Sequence, residues 1–127
     1  MQPQDRSLPI YEVADKVVAE LGNVGRLVLS APTGSGKTTQ VPQILLEAGC
    51  AGDGQILVLQ PRRLATRLVA SRVAQELGTQ LGQIVGYQTR HESRQGPDTK
   101  ILFLTEGLFL RRLLSNPHLS GIGAVVI

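Results

Sequence analysis

The stretch Leu27 to Thr39, LVLSAPTGSGKTT, constrains this chain more than any other. A short apolar run, Leu27 to Leu29, leads into a turn of small residues. Gly34-Ser35-Gly36-Lys37-Thr38 follows, and then a helical pattern. Strand, glycine-rich turn and helix in that order make a P-loop arrangement. Glycines at 34 and 36 let the backbone take conformations that a Cβ forbids and let it approach an anion closely. The amides of the turn and of the first helical turn have no internal partners, so they point at whatever sits there. Lys37 adds a mobile positive charge for β- and γ-phosphates, and the Thr38 hydroxyl suits a Mg²⁺ travelling with a nucleotide. The strict pattern has glycine where this chain has Ala31; Gly34, Gly36, Lys37 and Thr38 all stand in place. A nucleoside triphosphate site is therefore the first expectation.

With 127 residues and 42% of them hydrophobic, the chain can bury a core as one domain or part of one. Its single cysteine, Cys50, cannot form an internal bridge and suits a reducing compartment. The N-terminus lacks a basic-then-apolar leader, and no apolar run approaches the ~20 residues of a membrane span. A soluble, cytoplasmic protein with no membrane partner is expected. The formal net charge of +3 is unevenly spread. Residues 1–61 carry four basic and six acidic side chains; residues 62–127 carry nine basic and four acidic. That skew suggests a polyanionic partner for the later part.

In chain order, residues 1–8 are polar and expected to be frayed. Ile10, Val13, Val17, Val18 and Leu21 share one helical face after Pro9, with Gly22 as a stop, on a segment expected to pack across the sheet edge. A first strand is expected at Arg26–Ser30. The helix after the P-loop should run from Lys37 to about Ala48, with Val41, Ile44, Leu45 and Ala48 inward. Pro42 within it predicts a bend or a tightened first turn. Ile56–Leu59 reads as a second strand ending at Pro61-Arg62-Arg63. A helix over 64–77 follows, apolar at 64, 68, 69, 73 and 77 and closed by Gly78. Gln83–Tyr87 is a third strand, Gln88–Thr99 a charged loop, Lys100–Leu104 a fourth strand. Leu108–Leu114 forms a short apolar helix stopped by Asn116-Pro117, and Ala124–Ile127 begins a fifth strand.

Strands alternating with helices predict an α/β fold with a mainly parallel sheet. Ligands of such sheets collect at the carboxyl ends of the strands. The P-loop, Arg62-Arg63 and Thr105-Glu106-Gly107 should therefore share one edge, where a second anion could bind.

Four segments carry a family resemblance: APTGSGKTTQVPQ (31–43), QPRRLA (60–65), VGYQTRHE (85–92) and TEGLFLR (105–111). Their order and spacing resemble motifs I, Ia, the hook-turn and Ib of DEAH-box helicases, superfamily 2. LPIY (8–11), Thr-Glu-Gly at 105–107 and GIGAVVI (121–127) resemble the bacterial HrpB-type group most closely. The resemblance implies that residues 1–127 are the N-terminal part of the first RecA-like, ATP-binding domain. Thr33, Gly34, Ser35, Gly36, Lys37, Thr38 and Thr39 would hold ATP or another nucleoside triphosphate. Lys37 and Thr38 would be the catalytic members, with Mg²⁺ on Thr38. Arg72 matches the arginine that stacks on the nucleotide base. Arg62, Arg63, Arg90, Thr105 and Gly107 would touch a nucleic-acid strand, single-stranded RNA first and DNA second.

Plainer alternatives stand beside these roles. Arg72 could be a solvated helix arginine, Arg62 and Arg63 could cap a strand end, and Arg90 could be a wet loop residue. Arg67, Arg111, Arg112, His91 and His118 are expected at the surface. Pro42 recurs in the family pattern. The resemblance also implies an Asp-Glu-x-His motif beyond Val125-Val126-Ile127, and a second RecA-like domain. The 127 residues by themselves are expected to bind nucleotide without hydrolysing it. A P-loop kinase and a non-catalytic nucleotide-binding module are the competing classes.

Overall fold

The computed structural model describes residues 9–24 and 36–127. The expected strand at Arg26–Ser30 and the turn through Ser35 lie outside the described residues. A 3₁₀ turn, Pro9–Glu12, leads into α1, Ala14–Val24. Then come α2 (Lys37–Glu47), β1 (Gln55–Gln60), α3 (Arg63–Leu77), β2 (Val85–Gln88), β3 (Ser93–Arg94), β4 (Ile101–Thr105), α4 (Glu106–Ser115) and β5 (Ile122–Val126).

The sheet order is β3-β2-β4-β1-β5. Among the described residues β2, β4, β1 and β5 run parallel, and only β3 pairs antiparallel, with β2. This is the expected mainly parallel α/β sheet. Each central strand is apolar on both sides because both faces are covered. Ile56, Val58, Val85, Tyr87, Ile101 and Phe103 face the larger cluster with Val17, Val41, Ile44, Leu45, Ala70, Val73 and Ala74 of the first three helices. Leu57, Leu102 and Leu104 alternate onto the other face, under Leu108 and Phe109 of α4.

Several expectations need correction. α1 runs through Gly22 to Val24 and packs on α2. Glycine weakens a helix by about 1 kcal/mol, and neighbouring packing can override that. The first turn of α2 is not tightened: the Gln40 amide donates to the Gly36 carbonyl at 2.8 Å, four residues back. Pro42 sits inside the helix and is buried. It has no N–H for the Thr38 carbonyl. Ala48 is exposed as the C-cap, and Gln40 and Gln43 are buried instead.

On α3 the buried face is Thr66, Ala70, Val73, Ala74 and Glu76. Leu64 and Leu68, expected inward, are 68% and 58% exposed. Thr66 takes an inward place because its hydroxyl finds a partner, the Arg62 carbonyl, at 2.8 Å. Gly78 ends the helix in the left-handed region, φ 69°, as expected. The loop expected over 88–99 contains β3, so β2 and β3 form a short hairpin. Gly86 permits it: a Cβ there would strike the Arg94 carbonyl oxygen.

Candidate nucleotide and nucleic-acid site

Of the expected phosphate-binding residues, Thr33, Gly34 and Ser35 lie outside the described residues. Gly36 to Thr39 are described. Gly36 is the N-cap of α2 with φ 91°, ψ 5°, a conformation that costs a residue with a Cβ about 1–2 kcal/mol. Among the described residues no side chain caps this helix end, and its first turn holds no acidic residue. Such an end, with free amides and the positive pole of the helix dipole, suits an anion. Lys37 is half-buried beside them and Thr38 is exposed. Thr39 turns inward, donating to the Gly36 carbonyl at 3.4 Å. Glycine, uncapped amides, lysine and hydroxyl together fit a nucleotide phosphate chain with its Mg²⁺. Among the described residues no cluster of histidine, cysteine, aspartate and glutamate could hold a metal instead.

The nucleic-acid candidates meet at one sheet edge. Gln60 at the end of β1 pairs in register with Thr105 at the end of β4, and Leu104 pairs with Gln88 at the end of β2. Arg62 and Arg63 follow β1 directly, Arg90 follows β2, and Thr105 and Gly107 stand at the start of α4. Neighbouring strands are about 4.8 Å apart, so the three groups span roughly 10 Å.

Arg62 is the N-cap of α3 through its backbone, and its side chain makes no capping bond. Arg62, Arg63 and Arg90 are all exposed. Thr105 caps α4 without a side-chain capping bond either. A Cβ added at Gly107 would meet nothing within 4 Å. Packing within the described chain therefore does not require that glycine; a backbone approached closely from outside would. Arg112, expected at the surface, is half-buried and donates to Gln88 Oε1 at 3.5 Å, tying α4 to β2. Arg67, Arg111, His91 and His118 are exposed as expected.

Arg72 stands apart from this edge. Nine residues after Arg63, it is about 14 Å further along α3. Its Nε lies 3.3 Å from Glu76 Oε2. Glu76 in turn accepts from Gln40 Nε2 at 2.8 Å, which brings the last turn of α3 to the first turn of α2. Sequence reasoning missed Gln40, Glu76 and Tyr11, which donates to Gln40 Oε1 at 2.6 Å. Their only signal was polarity at positions that the helical faces bury.

The family described as DEAD/DEAH box helicase matches residues 11–127, nearly the whole chain. The chain belongs to that family. It is 44% identical over its whole length to the mouse (Mus musculus) ATP-dependent RNA helicase DHX33. It is 42% identical over 97% of its length to the ATP-dependent RNA helicase HrpA of Borreliella burgdorferi. The crystal structure of the Escherichia coli DEAH/RHA helicase HrpB superposes with a TM-score of 0.87 at 41% identity over 93% of this chain. This helicase domain is thus of the DEAH-box kind and resembles HrpB, with the RecA-like fold of that structure. The chain spans 18% of the mouse relative's length, 15% of the Borreliella relative's and 15% of the HrpB chain. Family membership sets aside the P-loop kinase alternative. No helix among the described residues is long and apolar enough to cross a membrane.

Tyr87, on the hairpin beside the edge, titrates above its ordinary range. Tyr87 is 1% exposed, and its hydroxyl donates to Glu92 Oε2 at 3.2 Å. Burial first, then the Glu92 hydrogen bond and charge, push the phenol above its ordinary value of 10.0, with Arg67 and Arg94 opposing in part. The folded state then holds this proton more tightly than the unfolded state. The corresponding stability is complete below pH 10 and is lost as pH rises through the raised value. Above pH 10 the melting temperature of the wild type should fall more steeply than that of Tyr87→Phe, and below it the two slopes should match. Parallel slopes above pH 10 in thermal melts would sink this assignment.

Proposed function

We propose that this chain is the N-terminal part of the first RecA-like domain of an ATP-dependent helicase. The longer protein couples ATP binding and hydrolysis to translocation on RNA, with DNA as a second substrate, and so unwinds duplexes. The observation that carries this reading is the shared edge of the sheet. Arg62 and Arg63, Arg90, and Thr105 with Gly107 follow three adjacent parallel strands in register. A single strand laid along that edge would meet three exposed arginines, an open helix start and a glycine that admits its backbone.

Each part has a role. The α2 amides and Lys37 hold the β- and γ-phosphates, and the Thr38 hydroxyl takes a place on Mg²⁺, which supplies charge neutralisation when bound. Gly34, Ser35 and Thr33 complete the phosphate loop. Arg72 lies on the base. Arg62 and Arg63 grip backbone phosphates, a contact that positions a strand without reading its sequence. Hydrolysis needs carboxylates that position Mg²⁺ and water; residues 1–127 bind nucleotide without turning it over.

The test is fluorescence anisotropy of a labelled single-stranded RNA against Arg62→Ala/Arg63→Ala. Each lost phosphate contact removes about 0.7 from the slope of log K against log salt for single strands. The double variant should therefore bind about tenfold more weakly near 100 mM salt, with a slope shallower by roughly 1.4. Unchanged affinity and slope would remove these arginines from the nucleic-acid track.

A further inference from the structure

Glu76 is a buried carboxylate outside the phosphate loop and outside the nucleic-acid edge. Its side chain is 2% exposed. Oε1 accepts from Gln40 Nε2 at 2.8 Å. Oε2 faces Arg72 Nε at 3.3 Å but has no aligned hydrogen-bond donor. Taking a carboxylate out of water costs several kcal/mol, which a misaligned pair with a half-exposed arginine offsets poorly. An apolar residue would serve stability as well. The carboxylate does fix geometry, because it holds the Nε edge of Arg72 one turn back on the same helix face.

Gln40 is fixed in its turn. It is 1% exposed. The Tyr11 hydroxyl donates to its Oε1 at 2.6 Å, and its Nε2 donates both to Glu76 and to Thr39 Oγ1, the latter at 3.0 Å. Thr39 Oγ1 donates onward to the Gly36 carbonyl. With its oxygen and both amide hydrogens committed, Gln40 has one orientation. A continuous polar line thus runs from the Arg72 guanidinium to the N-cap of α2.

We infer that Glu76 and Gln40 are positioning residues for nucleotide binding: they aim Arg72 at the base and tie that contact to the phosphate-binding start of α2. The inference rests on the reading that Arg72 meets the base and Gly36–Thr39 meet the phosphates. Glu76 acts through Arg72. Its removal should affect ligands that carry a base and spare those that do not.

The experiment measures binding of ADP with a ribose-linked fluorophore, in Mg²⁺, and its displacement by tripolyphosphate, which has no base. The proteins are wild type, Arg72→Ala, Glu76→Gln, the double variant and Tyr11→Phe. An arginine over a ring strengthens binding several-fold, so Arg72→Ala and Glu76→Gln should each weaken ADP about fivefold. Tripolyphosphate should stay within about twofold, and the double variant should be no weaker than Arg72→Ala. Tyr11→Phe, which only loosens Gln40, should weaken ADP about threefold.

Wild-type ADP affinity in Glu76→Gln, additivity with Arg72→Ala, or an equal loss of tripolyphosphate would each overturn the positioning role while leaving Arg72 on the base. If Glu76→Gln does not melt cooperatively, Tyr11→Phe decides, and unchanged ADP affinity there overturns the inference. ADP affinity untouched by Arg72→Ala, or absent from the wild type, removes the underlying reading and this inference with it.

Discussion

Lys37→Ala is expected to weaken binding of Mg²⁺-ADP by this chain about a hundredfold, measured by fluorescence titration or calorimetry. The expectation follows from what surrounds the lysine. It is the first residue of α2, beside an N-cap in the left-handed region and amides that no side chain caps among the described residues. It is half-buried, so a pair between it and a bound phosphate would be less screened than a surface pair. Charge-assisted hydrogen bonds contribute about 1.5–3 kcal/mol. Losing roughly 2.7 kcal/mol is a hundredfold in affinity. The substitution should leave stability nearly unchanged, since alanine favours a helix and Lys37 is not in the buried core. A loss under about threefold with an intact melting curve would mean that the anion does not sit at the start of α2, and the phosphate site would have to be sought elsewhere.

That test probes the part of the chain most legible in its sequence. Glycines at fixed spacing before a lysine state a backbone requirement, and the left-handed Gly36 meets it. The parallel sheet was equally readable, because continuous apolar strands such as Ile56–Leu59 need cover on both faces. The shared edge followed from the sheet direction alone. What the sequence hid was side-chain partnership. Leu64 and Leu68 carry the apolar pattern of a helix, yet Thr66 and Glu76 hold buried positions, since each has a hydrogen-bond partner: Thr66 the Arg62 carbonyl four residues back, Glu76 a side chain on another helix. Glu76 finds Gln40 thirty-six residues away, a contact that no periodicity encodes. The β3 strand was hidden too: two exposed residues in a charged loop give no alternation to read.

Phe103→Ala should have the largest effect on stability, and Leu64→Ala almost none, although the sequence ranks both as apolar. Phe103 is 0% exposed at the middle of β4, which lies between β2 and β1 in the sheet. It stands in register with Val58 on one side and Tyr87 on the other, all on the face covered by the first three helices. Truncating a buried phenylalanine costs about 3–5 kcal/mol, the transfer term plus the cavity that close-packed neighbours cannot refill. That is a large part of the 5–15 kcal/mol typical of a whole domain. Leu64, 68% exposed, has little burial to lose and should change stability by no more than about 0.5 kcal/mol. Urea unfolding of the two variants beside wild type reads both. A clear drop in Cm for Phe103→Ala at constant m would fit the central-strand core. A cost below about 1.5 kcal/mol would mean that the layer of α1, α2 and α3 does not close over β4. The strand ends that carry Arg62, Arg90 and Thr105 would then lack a rigid base, because their common edge is set by the register of β1, β2 and β4 around this side chain.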